Sequence, residues 1–288
     1  MRDTAVRWGS PSHAFELESP DPRILGRATV VLGPWALPAA ARPVRRWTVD
    51  PGPGPSEAWR IGSRGQPDRL VEGPARQAVT AVEFLGLQAL LEEPPEVLTL
   101  HAALVARSGR GVLVLGPGEA GKSTLACALW RRGADLLGDD VAVVDAEREE
   151  AWSAPRRVGL RASSRALVGP ELWGRIERTS AWEPTADGCL FHPQEVDGRS
   201  RPAAVRLRAC VFLARREAIA GPAVALPLEP AHALLALLPY SNLVRQADPG
   251  DVLPRLAPLV RVVPAYDLGR GPLAAMALTV ERLLDDEA

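Results

Sequence analysis

The run GPGEAGKST, residues 116–124, constrains this chain more than any other segment, because it fits GxxxxGK[ST] and lies between two apolar patterns of different period. GVLVLG (111–116) reads as a buried strand, and GKSTLACALWRRG (121–133) as a helix stopped by Gly133. A strand that enters a glycine-rich loop and leaves it as a helix brings backbone N–H groups and the positive end of the helix dipole to one place. Gly116, Gly118 and Gly121 allow the backbone to turn closely around an anion. The spacing predicts a phosphate cradle running through Gly116, Pro117, Gly118, Glu119, Ala120, Gly121, Lys122, Ser123 and Thr124. In it Lys122 reaches the β- and γ-phosphates of a nucleoside triphosphate, ATP, and the Ser123 hydroxyl faces Mg²⁺.

Composition adds weight to Lys122. The 288 residues hold 34 Lys plus Arg, and Lys122 is the one lysine among them. Basic positions are otherwise arginine, yet a planar guanidinium cannot replace a compact ammonium inside a tight loop. A single lysine placed at random would fall here roughly once in 34 placements. The chain is 47% apolar and 24% charged, an ordinary globular balance. Its net charge of −1 gives no case for a nucleic-acid or anionic-membrane partner. Cys127, Cys189 and Cys210 show no CxxC or metal spacing and are expected as reduced, buried thiols. The N-terminal MRDTAVRWGS has no apolar stretch of signal-peptide length, and no run approaches the ~20 apolar residues of a membrane span. Cytoplasmic residence is the expectation.

Two regions differ in texture. Between Pro34 and Pro67 the chain is dense in Pro and Gly, and short extended runs at 28–32 (ATVVL), 45–49, 58–62 and 69–73 suggest a small β-rich lobe. Residues 75–93 repeat apolar positions at helical intervals, and Pro94-Pro95 ends them, which places a boundary there: lobe 1–95, second domain 96–288. The second domain alternates strand and helix, with strands over 97–106, 111–116, 207–215, 222–228 and 262–268 and helices near 229–239 and 271–286. DLLGDD and VAVVDA supply further strand material. The fold class is therefore α/β.

Asp139 and Asp140 lie 17 and 18 residues after Lys122. The helix carries the chain ~16 Å from the phosphates, and a strand of about five residues returns it by a similar distance. Both carboxylates are then expected beside the cradle, where Mg²⁺ needs an oxygen ligand and an acceptor hydroxyl needs a base. His101 falls in the preceding strand. Arg156, Arg157 and Arg161 are candidates to stabilise charge on a phosphoryl group. Trp173 and Trp182 read as packing anchors.

The run HAALVARSGRGVLVLGPGEAGKSTLACALWRRGADLLGDDVAVVD (101–145) resembles the core of HPr kinase/phosphorylase and the HPr-kinase-related serine kinases. His101, Gly116, Gly121, Lys122, Ser123, Asp139 and Asp140 stand at the positions of that family's His, loop and Asp-Asp pair. APRRVGLRASS (154–164), LLPYSN (237–242) and VPAYDL (263–268) look like the related branch, whereas residues 1–95 do not look like the N-terminal domain of true HPr kinases. The resemblance implies a P-loop kinase domain of the phosphoenolpyruvate-carboxykinase type. It also implies phosphorylation of a serine on a protein or peptide, such as a ribosomal peptide or a small carrier protein, and it leaves a homo-oligomer open. By the same likeness Asp139 takes the proton of the acceptor hydroxyl, Asp140 joins Ser123 in holding Mg²⁺, and His101 lies near the γ-phosphate. VGLRASS is the nearest run to the RGLGxxN-type signature and departs from it, which argues against the reverse, phosphorolytic activity. A small-molecule hydroxyl kinase, a nucleotide-binding module without transfer, and plain ATP hydrolysis share the same loop: the first differs only in its acceptor, the second would lack an open cavity from Asp139 toward an acceptor, and the third would release phosphate without a labelled product.

Overall fold

A computed structural model describes residues 4–10, 13–38, 41–53, 57–92, 98–213 and 223–285. The chain forms two compact units, Met1–Glu92 with Ala154–Arg157, and Glu93–Ser153 with Val158–Ala288. The boundary expected at Pro94-Pro95 lies outside the described residues.

In the first unit β1 (Ala5–Ser10), β2 (His13–Glu18), β3 (Arg45–Pro51), β4 (Ala58–Ser63) and β5 (Gln66–Glu72) form one sheet in that order. β2 and β3 are parallel and the other pairs antiparallel. Helices α1 (Pro22–Leu32) and α2 (Ala75–Glu92) complete the unit. Alternation along β3 turns Trp47 and Val49 inward, and Trp47 meets Trp8 and Phe15 at ring separations of 5.7–5.8 Å. The expected strand at 28–32 is instead the end of α1. Its β-branched residues suggested extension, but Asp21 caps the helix by accepting from the Arg23 N–H, Pro22 starts it, and Ile24, Ala28, Val31 and Leu32 fall on one buried face.

Residues Ala154–Arg157 join this unit through Arg157. Its buried guanidinium donates to both carboxylate oxygens of Glu83 on α2, at 2.8–3.3 Å, and to Thr80 Oγ1 at 2.6 Å. Arg156 lies 5.2 Å over the Phe84 ring. Nothing in the local sequence signals this excursion.

The second unit begins with β6 (Leu98–Leu100), β7 (Ala102–Arg107), β8 (Arg110–Leu115), α3 (Lys122–Arg131), β9 (Asp135–Gly138), β10 (Ala142–Asp145) and β11 (Glu150–Ser153). After β12 (Val158–Arg161) come α4 (Arg165–Val168), α5 (Pro170–Ile176), β13 (Glu183–Thr185), β14 (Gly188–Phe191) and α6 (Pro193–Asp197). The chain continues through β15 (Val205–Leu213), β16 (Ala225–Leu228), α7 (Pro230–Leu237), α8 (Leu243–Gln246), α9 (Pro249–Val262), β17 (Ala265–Leu268) and α10 (Leu273–Asp285). Nine strands make a mixed sheet along the path β6-β10-β11-β15-β8-β7-β9, with β17 beside β15 and β16 beside β17.

Strand alternation divides the core. Ala103, Val105, Val112 and Val114 face α3 and α10, packing with Leu125, Leu129, Val280 and Leu284. Ala102, Leu104, Leu113 and Leu115 face the other side and pack with Leu237 of α7 and Leu256 and Leu259 of α9. A sheet covered by helices on both faces buries every position of its central strands, which is why β7 and β8 read as unbroken apolar runs. Trp173 is buried in the first of these cores and Trp182 packs against it. Helix α9 was not foreseen, because Pro254 and Pro258 lie inside it and argue locally against a helix. Among the described residues no helix is long and apolar enough to cross a membrane.

Candidate functional site

The site lies at the N-terminus of α3. β8 ends at Leu115 in the middle of the sheet, the loop 116–121 turns over, and α3 starts at Lys122. Gly121 precedes the helix in the left-handed region at φ 96°, a conformation that disfavours any Cβ. Its carbonyl accepts the first helical bond, from Leu125 N–H at 2.9 Å. Residues 117–119 are exposed, whereas Lys122 is buried. Glu119 also has a positive φ, 66°, without being glycine.

The return path is set by strand direction. β7 is antiparallel to β8 and β9 is antiparallel to β7, so β8 and β9 run the same way and end on the same side. Asp139 and Asp140 follow β9 directly and therefore come to the loop. Asp139 is buried, and its Oδ2 is 3.5 Å from Ser123 Oγ. His101 reaches the same place by a different route. The strand expected to run through it is broken at His101: β6 pairs with β10 and β7 with β8, so the backbone changes partners there. His101 N–H donates to Tyr240 O at 2.7 Å, which fixes the bend.

Lys122 Nζ donates to Gly116 O at 2.9 Å and to Pro117 O at 3.3 Å, and lies 3.0 Å from His101 Nε2. An ammonium has only donors, so Nε2 accepts and the imidazole proton sits on Nδ1. That nitrogen is 3.0 Å from Asp140 Oδ1, to which it donates. Lys122, His101 and Asp140 thus form one chain of hydrogen bonds. Burial lowers the proton affinity of Lys122, Asp140 and Asp139 oppose that, and the nearby positive charge of Arg161 adds to it.

The three arginines separate. Arg157 is consumed in the first unit by Glu83, and Arg156 lies with Phe84. Arg161, at the end of β12, pairs with Glu119 of the loop at 2.7 Å. Spacing did not foresee Ser164, whose hydroxyl lies 3.0 Å from that of Thr124 on the first turn of α3.

Mg²⁺ binds through one or two carboxylates completed by substrate phosphates and water, not through an all-protein cage. The adjacent Ser123 hydroxyl and Asp139 carboxylate fit that partial set. Among the described residues no cluster of three or more His, Cys, Asp or Glu could hold a metal. Cys127, Cys189 and Cys210 are free and buried, and burial pushes the Cys189 and Cys210 thiols up to about 11 and about 12.

No protein-family model matches the chain, and no curated protein matches it. Among solved structures it is similar to the Hpr(Ser) kinase/phosphatase from Coxiella burnetii, at 17% identity and a TM-score of 0.34 over 65% of this chain and 87% of that one.

Proposed function

We propose that the chain is an ATP-dependent kinase that transfers the γ-phosphate to a serine hydroxyl of a protein or peptide. One observation supports this above the others: Lys122, Ser123, Asp139, Asp140 and His101 meet at the N-terminus of one helix, directly after a glycine-rich turn. Lys122 and the helix dipole neutralise phosphate charge. When ATP binds, Lys122 exchanges its bonds to Gly116 O and Pro117 O for phosphate oxygens. Ser123 with a carboxylate would hold Mg²⁺, which supplies further charge neutralisation. The other carboxylate accepts the proton of the acceptor hydroxyl, a role typically worth 10²–10⁴-fold in rate.

The resemblance to the HPr-kinase-related kinases implies that Asp139 is the base and Asp140 the metal ligand. The Ser123–Asp139 contact favours a second reading with the roles exchanged, since Asp140 is engaged by His101. The two asparagine variants separate them. Loss of the base removes transfer by 10²-fold or more and leaves Mg·ATP affinity within a few-fold. Loss of the metal ligand weakens both and shifts the Mg²⁺ dependence. The experiment is incubation with γ-labelled ATP, Mg²⁺ and serine-containing peptides. Label recovered on serine and lost in Lys122→Ala supports the kinase; phosphate release with no labelled acceptor overturns it.

A further inference from the structure

Glu119 is the anomaly of the loop. It is a carboxylate at the exposed tip of a turn whose other features suit an anion, in a backbone conformation that disfavours side chains. Its partner is Arg161, and both side chains are exposed.

The backbone beneath Arg161 is fixed. β14 presses so closely on β12 that a Cβ on Gly188 would come within 2.0 Å of Leu160 O and 2.7 Å of Arg161 Cα. Ala162 N–H donates to Asp187 O at 2.7 Å, and Ser164, two residues on, meets Thr124 on α3. Arg161 thus has an anchored Cα and a guanidinium that water can reach. Its charge is also felt at Lys122, the centre of the cradle. Exposed ion pairs contribute little to stability, so Glu119 is a partner that a more strongly charged anion can displace.

Resting on the nucleotide reading above, we infer that Arg161 is a phosphate-binding residue held in reserve by Glu119. A triphosphate entering the loop takes the guanidinium from Glu119, and Glu119 lowers nucleotide affinity by competing for it. The test is calorimetric titration with Mg·ATP of the wild type, Arg161→Met, Arg161→Lys, Glu119→Gln and the double variant Glu119→Gln/Arg161→Met, with Lys122→Ala as the control for the cradle. Arg161→Met is expected to weaken ATP about tenfold, the size of one charge-assisted hydrogen bond, with partial recovery in Arg161→Lys. Glu119→Gln is expected to tighten ATP about two- to fivefold, matching the released ion pair, and to lose that gain in the Arg161→Met background. A neutral Arg161→Met, or a Glu119→Gln gain that persists undiminished without Arg161, overturns the exchange. If Lys122→Ala abolishes binding in either event, the cradle stands and the exchange alone fails; if Lys122→Ala binds ATP normally, the nucleotide reading fails as well.

Discussion

Asp197 shows how a single residue's surroundings fix its chemistry. Burial would push its carboxyl up, but hydrogen bonds from Trp130 Nε1, Arg201 and Arg199 outweigh that and hold it down at about 2, against an ordinary 3.8. The folded value lies below the unfolded one, so the stabilisation is present above pH ~4 and is lost as pH falls through the folded value. The difference corresponds to roughly 2 kcal/mol at neutral pH. Asp197→Asn should therefore destabilise the chain by about that amount at pH 7, with the gap closing between pH ~4 and ~2; denaturant melts across that range check it. A constant gap at all pH values would show that the cost is packing and not charge. Arg199 and Arg201 stand beside Asp197 in the sequence, but Trp130 becomes its partner only through folding, and no local pattern announces that bond. Lys122 is the opposite case: its rarity and spacing singled it out without any knowledge of contacts.

At the level of elements, β12 and β14 depend on one missing side chain. Gly188 opposes Arg161 in the ladder, and the Leu160 carbonyl occupies the space a Cβ would need. Relief requires the strands to separate, and backbone atoms cannot rotate away as a side chain could. Gly188→Ala should cost about 3 kcal/mol or more and should weaken the Thr124–Ser164 contact; unfolding in denaturant within 1 kcal/mol of wild type would refute the packing argument. Elements with a strong period were readable in the sequence, including α2, β8, α3 and α10. Two helices misjudged from the sequence share a cause: α1 has a β-branched end and α9 contains two prolines, and in each the burial of one face outweighs local preference. The break at His101 was invisible because VLTLHAALVA is apolar on both sides of it, and only the change of strand partner divides it.

For the whole molecule, the defining feature is that the first unit is discontinuous in sequence. Arg157 is fully buried and its charge is met by Glu83, which is 2% exposed. Removing one partner of such a pair strands the other, at a cost of roughly 3–5 kcal/mol. Glu83→Ala should show that loss in equilibrium unfolding, and a loss under 1 kcal/mol would mean that water reaches Arg157 freely. Taken alone, the sequence determined the α/β class, the strand–loop–helix at 111–131, and which residue types could serve a phosphate site, because each of these follows from local period, glycine placement and chemical identity. Tertiary structure decided who meets whom: Asp139 with Ser123, Asp140 with His101, Arg161 with Glu119, and Arg157 withdrawn to Glu83. These pairings depend on strand order and register across sequence separations of up to 74, and no local pattern encodes them.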